Sequence, residues 1–380
     1  METFLLGGFV VFALLALHPF LTYPASLGLL RLFRRKPVVS DLPPDPPSLS
    51  ICFCAYNEES VIRDKIHNLE AVATAYPGSV EIFLYTDGCS DRTYEIAVEA
   101  AETVKVIRGE GRQGKASGMN RLAGEASGSL IVFTDANVML AEDALSRIAA
   151  AFGDEDVGCA GGTLVYVNPE DGHVASVGSL YWRLEETIKT LETATGSMMG
   201  CDGAFFAIRH GLFRRVPPDM IDDMFTSLGI LCDGHRLVSV SDAIAYEKVA
   251  TRSGDEFRRK IRIACRSFNC HRRLQSRLIR MSPLNIYKYV SHKLVRWLTV
   301  FTAAAAGVFF LAFVGVRFGA PAAVGTVTGV TGLLTAGLLG FPALRSVTEM
   351  LLSFIAVGVG VLRSLQGQRY QTWTPPQSAR

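Results

Sequence analysis

Asp135 and Asn137 lie two residues apart, just past the apolar run 130–133. Two oxygen-bearing side chains at that spacing, beyond the end of a strand, can grip a hard cation. One is a carboxylate and the other an amide, so the pair carries less charge than two aspartates would. Mg2+ and Mn2+ accept neutral oxygen, and the amide can still coordinate directly or through water. Three more polar clusters share this setting. Tyr56-Asn57-Glu58-Glu59 follows one apolar stretch, Asp87-Gly88 a second, and the Gly-rich "GEGRQGK" (109–115), ending on Lys115, a third.

The elements that must position these residues alternate. "LSICFCAY" (49–56), "VEIFLYTD" (80–87), "TVKVIR" (103–108) and "SLIVFTD" (129–135) read as strands. Residues 58–75, 90–102 and 114–126 read as helices, the second capped by Ser90 or Asp91. Strands alternating with helices predict an α/β fold with a parallel, doubly wound sheet. In such sheets ligands bind beyond the carboxyl ends of the strands. A cleft collecting Glu58, Asp87, Lys115 and Asp135 is therefore expected on one edge. No G-x-G-x-x-G follows the first strand, and Ala116 follows Lys115 where a P-loop needs Ser or Thr, so a dinucleotide fold and a P-loop are both disfavoured.

These four stations resemble the family 2 glycosyltransferases, which have the GT-A fold. "CAYNEE" (54–59) is similar to their opening nucleotide segment, "TDGCSD" to "DDGSxD", "GKASGMN" to "GKAxALN" and "FTDAN" to the Asp-x-Asp segment. "GCDGAFFAIR" (200–209) resembles the segment after the donor sugar, and "DDMFTSLGILCDGHR" (222–236) resembles "EDxxLxxRLxxxGYR". The match runs in the family's order from about residue 49 to about 270.

The resemblance implies a nucleotide-sugar donor, usually a UDP-sugar, and inversion at the anomeric carbon. It implies Ala55, Tyr56, Glu58, Asp87 and Lys115 at the nucleotide, with Asp87 accepting the uracil N–H, Tyr56 against the base and Glu58 on the ribose. It implies Asp135 and Asn137 at Mg2+ or Mn2+, and Asp202 and Gly203 at the donor or acceptor sugar. Asp223, beside Asp222, is the implied base that deprotonates the acceptor hydroxyl. Asp222 replaces the family's glutamate and is also an ordinary helix N-terminal charge. Paired carboxylates raise one another's pKa.

Residues 255–280 carry eight arginines and one lysine, with Phe257, Ile261, Ala264 and Phe268 at helical spacing. A basic amphipathic helix of this kind is expected on anionic membrane lipids. Nucleic acid would want similar charge, but the neighbouring apolar segments favour lipid, so no nucleic-acid partner is expected. "RKIRI" (259–263) falls where polysaccharide synthases carry Q-x-x-R-W, and only Arg262 matches. The missing tryptophan, associated in the family with the acceptor sugar, puts processive synthesis in doubt. Arg262 is expected near the diphosphate or sugar.

Residues 3–30 are almost free of charge and are followed by Arg31, Arg34, Arg35 and Lys36, which predicts an N-terminal anchor kinked at His18-Pro19. Residues 297–316, 319–341 and 346–362 predict three more spans. Their number puts the carboxyl terminus outside, whereas Arg363, Arg369 and Arg380 favour the inside. Trp373 is an interfacial anchor or folds back to the cleft. The expected organisation is an anchor (1–36), a Pro-rich linker (37–48), a cytosolic GT-A domain (49–254), basic interfacial helices (255–296), three transmembrane helices (297–363) and a tail (364–380).

The chain has 38 Lys+Arg against 36 Asp+Glu, so net charge points to no partner. Eight cysteines without a C-x-x-C pair argue against a zinc ribbon and, in a cytosolic domain, read as reduced core residues. The expected protein is a multi-pass inner-membrane glycosyltransferase acting on a growing glycan or lipid-linked acceptor, in exopolysaccharide or cell-envelope assembly. Four spans are few for a channel in one chain, which leaves room for a homo-oligomer. The rivals are single-sugar transfer to polyprenyl phosphate and a non-catalytic sugar-nucleotide-binding subunit.

Overall fold

The computed structural model describes residues 1–167, 173–248 and 253–372. Its strands are β1 (Leu49–Ala55), β2 (Val80–Thr86), β3 (Lys105–Arg108), β4 (Leu130–Asp135), β5 (Val138–Leu140), β6 (Val157–Tyr166), β7 (Phe205–Arg209) and β8 (Arg236–Glu247). They form one sheet in the order β3-β2-β1-β4-β7-β6-β8-β5. The first half, β3-β2-β1-β4, is parallel. Beyond β4 the sheet is mixed, because β7 runs antiparallel to both β4 and β6. The parallel half follows the alternating pattern of the sequence; the mixed half does not announce itself there.

Every residue of β1 is buried, and its two faces feed two cores. Ile51 and Phe53 join Ile62, Ile66 and Leu69 of α3 (Ile62–Ala75), Ala97 of α4 (Thr93–Ala100) and Ile148 of α6 (Ala144–Ala150). Cys52 and Cys54 point the other way, to Met119 and Leu122 of α5 (Lys115–Glu125) and Leu228 of α8 (Asp222–Cys232). This two-sided burial follows from the period-2 alternation of a strand. All eight cysteines are free thiols and six are buried.

The remaining helices are α1 (Glu2–Leu17), α2 (Thr22–Phe33), α7 (His173–Ala194), α9 (Ser253–Leu278), α10 (Pro283–Tyr289), α11 (Val295–Phe318), α12 (Ala320–Leu338) and α13 (Pro342–Leu365). Among the described residues, three helical stretches are long and apolar enough to cross a membrane: Pro283–Phe318, Ala320–Leu338 and Leu344–Leu365. The N-terminal segment is not one straight helix: α1 and α2 meet at 63°, and together they amount to a fourth candidate. Phe9 and Phe12 of α1 pack on Phe310 and Phe309 of α11, with ring centroids 5.1 and 5.6 Å apart.

The apolar stripe of α9 is covered by protein rather than presented to lipid. Ile261, Ala264 and Phe268 are all buried. Gly360 of α13 lies so close that a Cβ there would stand 2.6 Å from Ala264 Cβ. Polar contacts lock the same face: Lys260 Nζ reaches Ser353 Oγ at 2.7 Å, and Ser364 Oγ reaches Asn269 Oδ1 at 2.6 Å. A stripe that looks suited to a bilayer is equally suited to an apolar helix, and α13 supplies one. Arg258, Arg272 and Arg273 remain exposed. After α13 the chain turns back over α9, where Asn269 Nδ2 donates to Gln368 O at 3.2 Å. Trp373 lies outside the described residues.

Candidate active site

The site forms at the carboxyl ends of β1, β2 and β4, joined by the start of α5, the loop before β7 and the start of α8. The 109–114 loop is shaped by Asp87. Its Oδ1 accepts the Gln113 N–H at 2.7 Å and its Oδ2 the Gly114 N–H at 2.9 Å. Asp87 is completely buried. With each oxygen accepting from a backbone donor, the carboxylate shapes the 109–114 loop. Gly88 at φ 64° meets this loop closely; a Cβ would lie 2.5 Å from Gly111 C.

Tyr56 lies under Arg112, whose guanidinium carbon is 4.0 Å from the ring centroid. Ala55, the last residue of β1, is buried and its carbonyl accepts the Asp87 N–H at 2.9 Å. Glu58 is also buried, and its backbone N–H donates to Thr93 Oγ1 at 2.7 Å.

Lys115, the first residue of α5, links the end of β4 to the start of α8, far apart in sequence. Its Nζ is 2.6 Å from Asp135 Oδ1 and 3.1 Å from Asp222 Oδ2. Burial works against the lysine charge, but Asp135 and Asp222 outweigh it and hold the pKa above the ordinary value. Burial likewise pushes Asp222 up, but Lys115 and Arg266 hold it below the ordinary carboxylate range. Asp223 goes the other way: burial first, then the charge of Asp222, raise it to about 7. One carboxylate of the pair is thus kept ionised and the other poised to exchange a proton near neutral pH.

Gly203 is the floor between these groups. A Cβ there would stand 3.1 Å from Asp223 Oδ2 and 3.2 Å from Lys115 Nζ. Asp202 is turned away onto Lys189 of α7, which also binds Glu186 at 2.5 Å and lies 4.8 Å from the Trp182 ring centroid. Arg262 of α9 reaches the opposite side, near Asp222. It makes no hydrogen bond or ion pair among the described residues. Burial, then the neighbouring Arg266 and Arg259, lower it to about 10.

Asn137 donates its amide N–H to Glu247 Oε1 at 2.9 Å. Glu247 ends β8, and burial raises it to about 6. The carboxylate absent at Asn137 therefore has a neighbour that motif spacing does not disclose, since Glu247 lies 110 residues away. Beneath this turn, fully buried Lys65 donates to Thr134 Oγ1 at 3.2 Å and to Val138 O. Among the described residues, no three His, Cys, Asp or Glu side chains gather closely enough to hold a metal alone.

Sequence reasoning missed Glu247, Lys65, Lys189 and Arg266. Arg266 is buried on α9 and donates to Met220 O just before α8. No sequence signal marks it: at helical spacing Arg266 falls on the face opposite the Phe257, Ile261, Ala264 and Phe268 stripe, the same side as Arg262.

Residues 50–216 match the family described as Glycosyl transferase family 2. That stretch is a glycosyltransferase family 2 domain within the chain. The chain is similar to the N-acetylglucosaminyltransferase of Rhizobium sp. (strain N33), at 25% identity over 243 residues, 58% of this chain and 53% of the relative. The N-acetylglucosaminyltransferase of Rhizobium meliloti (strain 1021) is 24% identical over 240 residues, 58% of this chain and 56% of the relative. The chain spans about half the length of the curated relatives it matches. Among solved structures, the mannosyltransferase PcManGT from Pyrobaculum calidifontis, in complex with GDP-Man and Mn2+, superposes with a TM-score of 0.73 at 21% identity, covering 96% of this chain and 100% of that one. The chain has a GT-A-like fold, with apolar helices at its carboxyl end.

Proposed function

We propose that this glycosyltransferase is a multi-pass inner-membrane enzyme that inverts a UDP-sugar, moving the sugar to a growing glycan or lipid-linked acceptor beside the bilayer. The observation that carries the reading is the Lys115 ammonium between Asp135 and Asp222, with Asp223 facing it across Gly203. The names of the curated relatives favour N-acetylglucosamine as the sugar. Three apolar helices and the bent N-terminal pair support a location in the membrane.

In this reading Asp223 takes the proton of the acceptor hydroxyl as its oxygen attacks the anomeric carbon. The bond from that carbon to the donor diphosphate breaks, and the electron pair leaves with UDP. Lys115 and Arg262 stand where they can stabilise the departing charge. Tyr56 and Arg112 form a surface on which a base can stack. Asp87 holds the loop whose backbone borders the donor.

The oxygen-donor set suits a hard divalent cation, Mg2+ or Mn2+: Asp135, with Asn137 and Glu247 beside it, would hold one. Bound there, the cation would neutralise diphosphate charge. Because the described residues gather no group of three such ligands, donor oxygens and water complete the shell, so metal and donor bind together.

The test is purified full-length protein with a panel of nucleotide sugars, Mn2+, Mg2+ or chelator, reading UDP release, anomeric configuration and product size. UDP release from UDP-N-acetylglucosamine that requires metal and vanishes in Asp223→Ala supports the reading. Binding of donor without cleavage under every condition would favour a non-catalytic subunit.

A further inference from the structure

A second polar cluster lies where the catalytic domain meets the apolar helices. Glu185 and Glu192 of α7 face the residues that precede and begin α11. A π-helical turn, Val290–Leu294, places His292 between them, with Nδ1 2.8 Å from Glu192 Oε1 and Nε2 2.9 Å from Glu185 Oε1. Tyr23 of α2 donates to Glu192, and the Met199 N–H donates to Glu192 Oε2 at 2.9 Å. Lys293 Nζ is 3.6 Å from Glu185. Arg296 Nη1 reaches Glu185 Oε2 and lies 3.1 Å from Tyr181 Oη. Single π turns recur at functional sites.

Arg296 is unfinished. Its Nε and Nη2 are both buried and neither has a hydrogen-bond partner among the described residues. These two nitrogens share one edge of the guanidinium, the fork that receives two oxygens of a carboxylate or phosphate. The side chain is 12% exposed and sits 5.5 Å from the Phe20 ring centroid and 5.6 Å from that of Tyr181. Leaving a buried charged donor unmatched is costly. Nearby carboxylates cannot fill the fork: Glu185 is already committed to His292 and Arg296 Nη1, and Glu192 to Tyr23, His292 and Met199.

Location narrows the missing oxyanion. Arg296 stands at the head of α11, in the first apolar stretch, while Tyr181 beside it is 44% exposed. A turn further along α7, Lys189 holds Asp202, and the next residue, Gly203, faces Asp223. A Cβ on Gly200 would stand 4.0 Å from Lys293 Cε and 3.7 Å from Ser227 Oγ, one turn after Asp223. The cluster and the reacting carboxylate are thus joined by one helix and one loop.

We propose that the Nε/Nη2 edge of Arg296, with Lys293, receives the phosphoryl group of a lipid-linked acceptor. The lipid chain lies along the apolar helices and the attached sugar reaches Asp223. This deepens the proposed function and rests on it for the acceptor's role, while the phosphoryl site itself stands on the Arg296 geometry.

The test titrates detergent-purified full-length protein with farnesyl phosphate, farnesol and dioctanoyl phosphatidate, without nucleotide sugar. Wild type should bind farnesyl phosphate about tenfold or more tighter than farnesol, the effect of a charge-assisted fork. Arg296→Lys keeps the charge but loses the fork and should reduce that ratio several-fold, with thermal melting confirming the fold; Lys293→Gln should reduce it independently. Equal affinity for phosphate and alcohol in wild type, or a ratio that survives in both variants, overturns the site. Phosphatidate binding as tightly as farnesyl phosphate assigns the fork to phospholipid headgroups and overturns its acceptor role. Because no donor is present, failure here leaves UDP release untouched, and failure of UDP release leaves these ratios standing.

Discussion

Gly203 and Asp223 face one another so closely that a Cβ on the glycine would stand 3.1 Å from the Asp223 Oδ2 oxygen. The same Cβ would lie 3.2 Å from Lys115 Nζ. The glycine is needed for space rather than for a left-handed backbone, and it leaves Asp223 and Lys115 on either side of one small gap. Gly203→Ala should move both groups by a few tenths of an ångström. Misplacement on this scale costs about tenfold to a hundredfold in kcat. Single-turnover kinetics beside a melting curve separate this loss from unfolding; unchanged kcat would remove Gly203 from the site.

Asp223 acts as a base only when ionised, and its pKa is raised to about 7. Activity should therefore fall as pH drops through about 7, whereas a carboxylate of ordinary pKa would keep working to about pH 4. Asp223→Asn should lower kcat by about a hundredfold or more and remove that acid limb from the residual rate. Stability moves oppositely. A carboxyl whose folded pKa exceeds its unfolded one binds more protons folded, so its contribution weakens between about pH 4 and 7. Asp223→Asn should accordingly melt higher than wild type at pH 8, and a lower melting temperature there would contradict the burial argument.

Glu247 and Asn137 divide what two acidic residues could do at the cation. Glu247→Gln should weaken Mn2+ binding in the presence of donor, read by electron paramagnetic resonance of free Mn2+. Asn137→Asp alone places two carboxylates side by side and should gain little. The double change Asn137→Asp with Glu247→Gln moves the charge back into the Asp-x-Asp spacing and should restore affinity. Equal Mn2+ affinity in all four proteins would take Glu247 out of the cation's surroundings.

Gly114 has φ 92°, a conformation that L side chains rarely adopt, and the Gln371 carbonyl lies against it. Its N–H also supplies one of the two bonds that hold Asp87. Gly114→Ala should distort the loop and weaken donor binding by about tenfold, equivalent to the loss of a hydrogen bond or two. Calorimetry with UDP checks this; an unaltered Kd would show that the loop tolerates the change.

Several elements are legible before any folding. The strands 49–55, 80–86 and 130–135 announce themselves because each is a short apolar run stopped by polar residues. Parallel neighbours then place Tyr56, Asp87 and Asp135 at one sheet edge, since parallel strands share a carboxyl end. The segments around Lys115 and Asp222-Asp223 are visible through their motif spacing, and the apolar helices through their length.

What the linear pattern leaves open is which side chain pairs with which. Asp87 has its oxygens taken by the Gln113 and Gly114 amides. Glu247 meets Asn137 only because β8 runs antiparallel to β5. The α9 stripe finds α13 rather than lipid, since apolar periodicity records that a face is hidden and not what hides it. Arg296 carries no motif at all, and its open fork exists only where α7, α11 and the N-terminal helices converge. Local pattern determined the elements and the edge where chemistry collects, because strand and helix periods are set by neighbouring residues. Pairings between residues a hundred or more positions apart were decided by tertiary packing, which alone fixes distance and burial and hence charge.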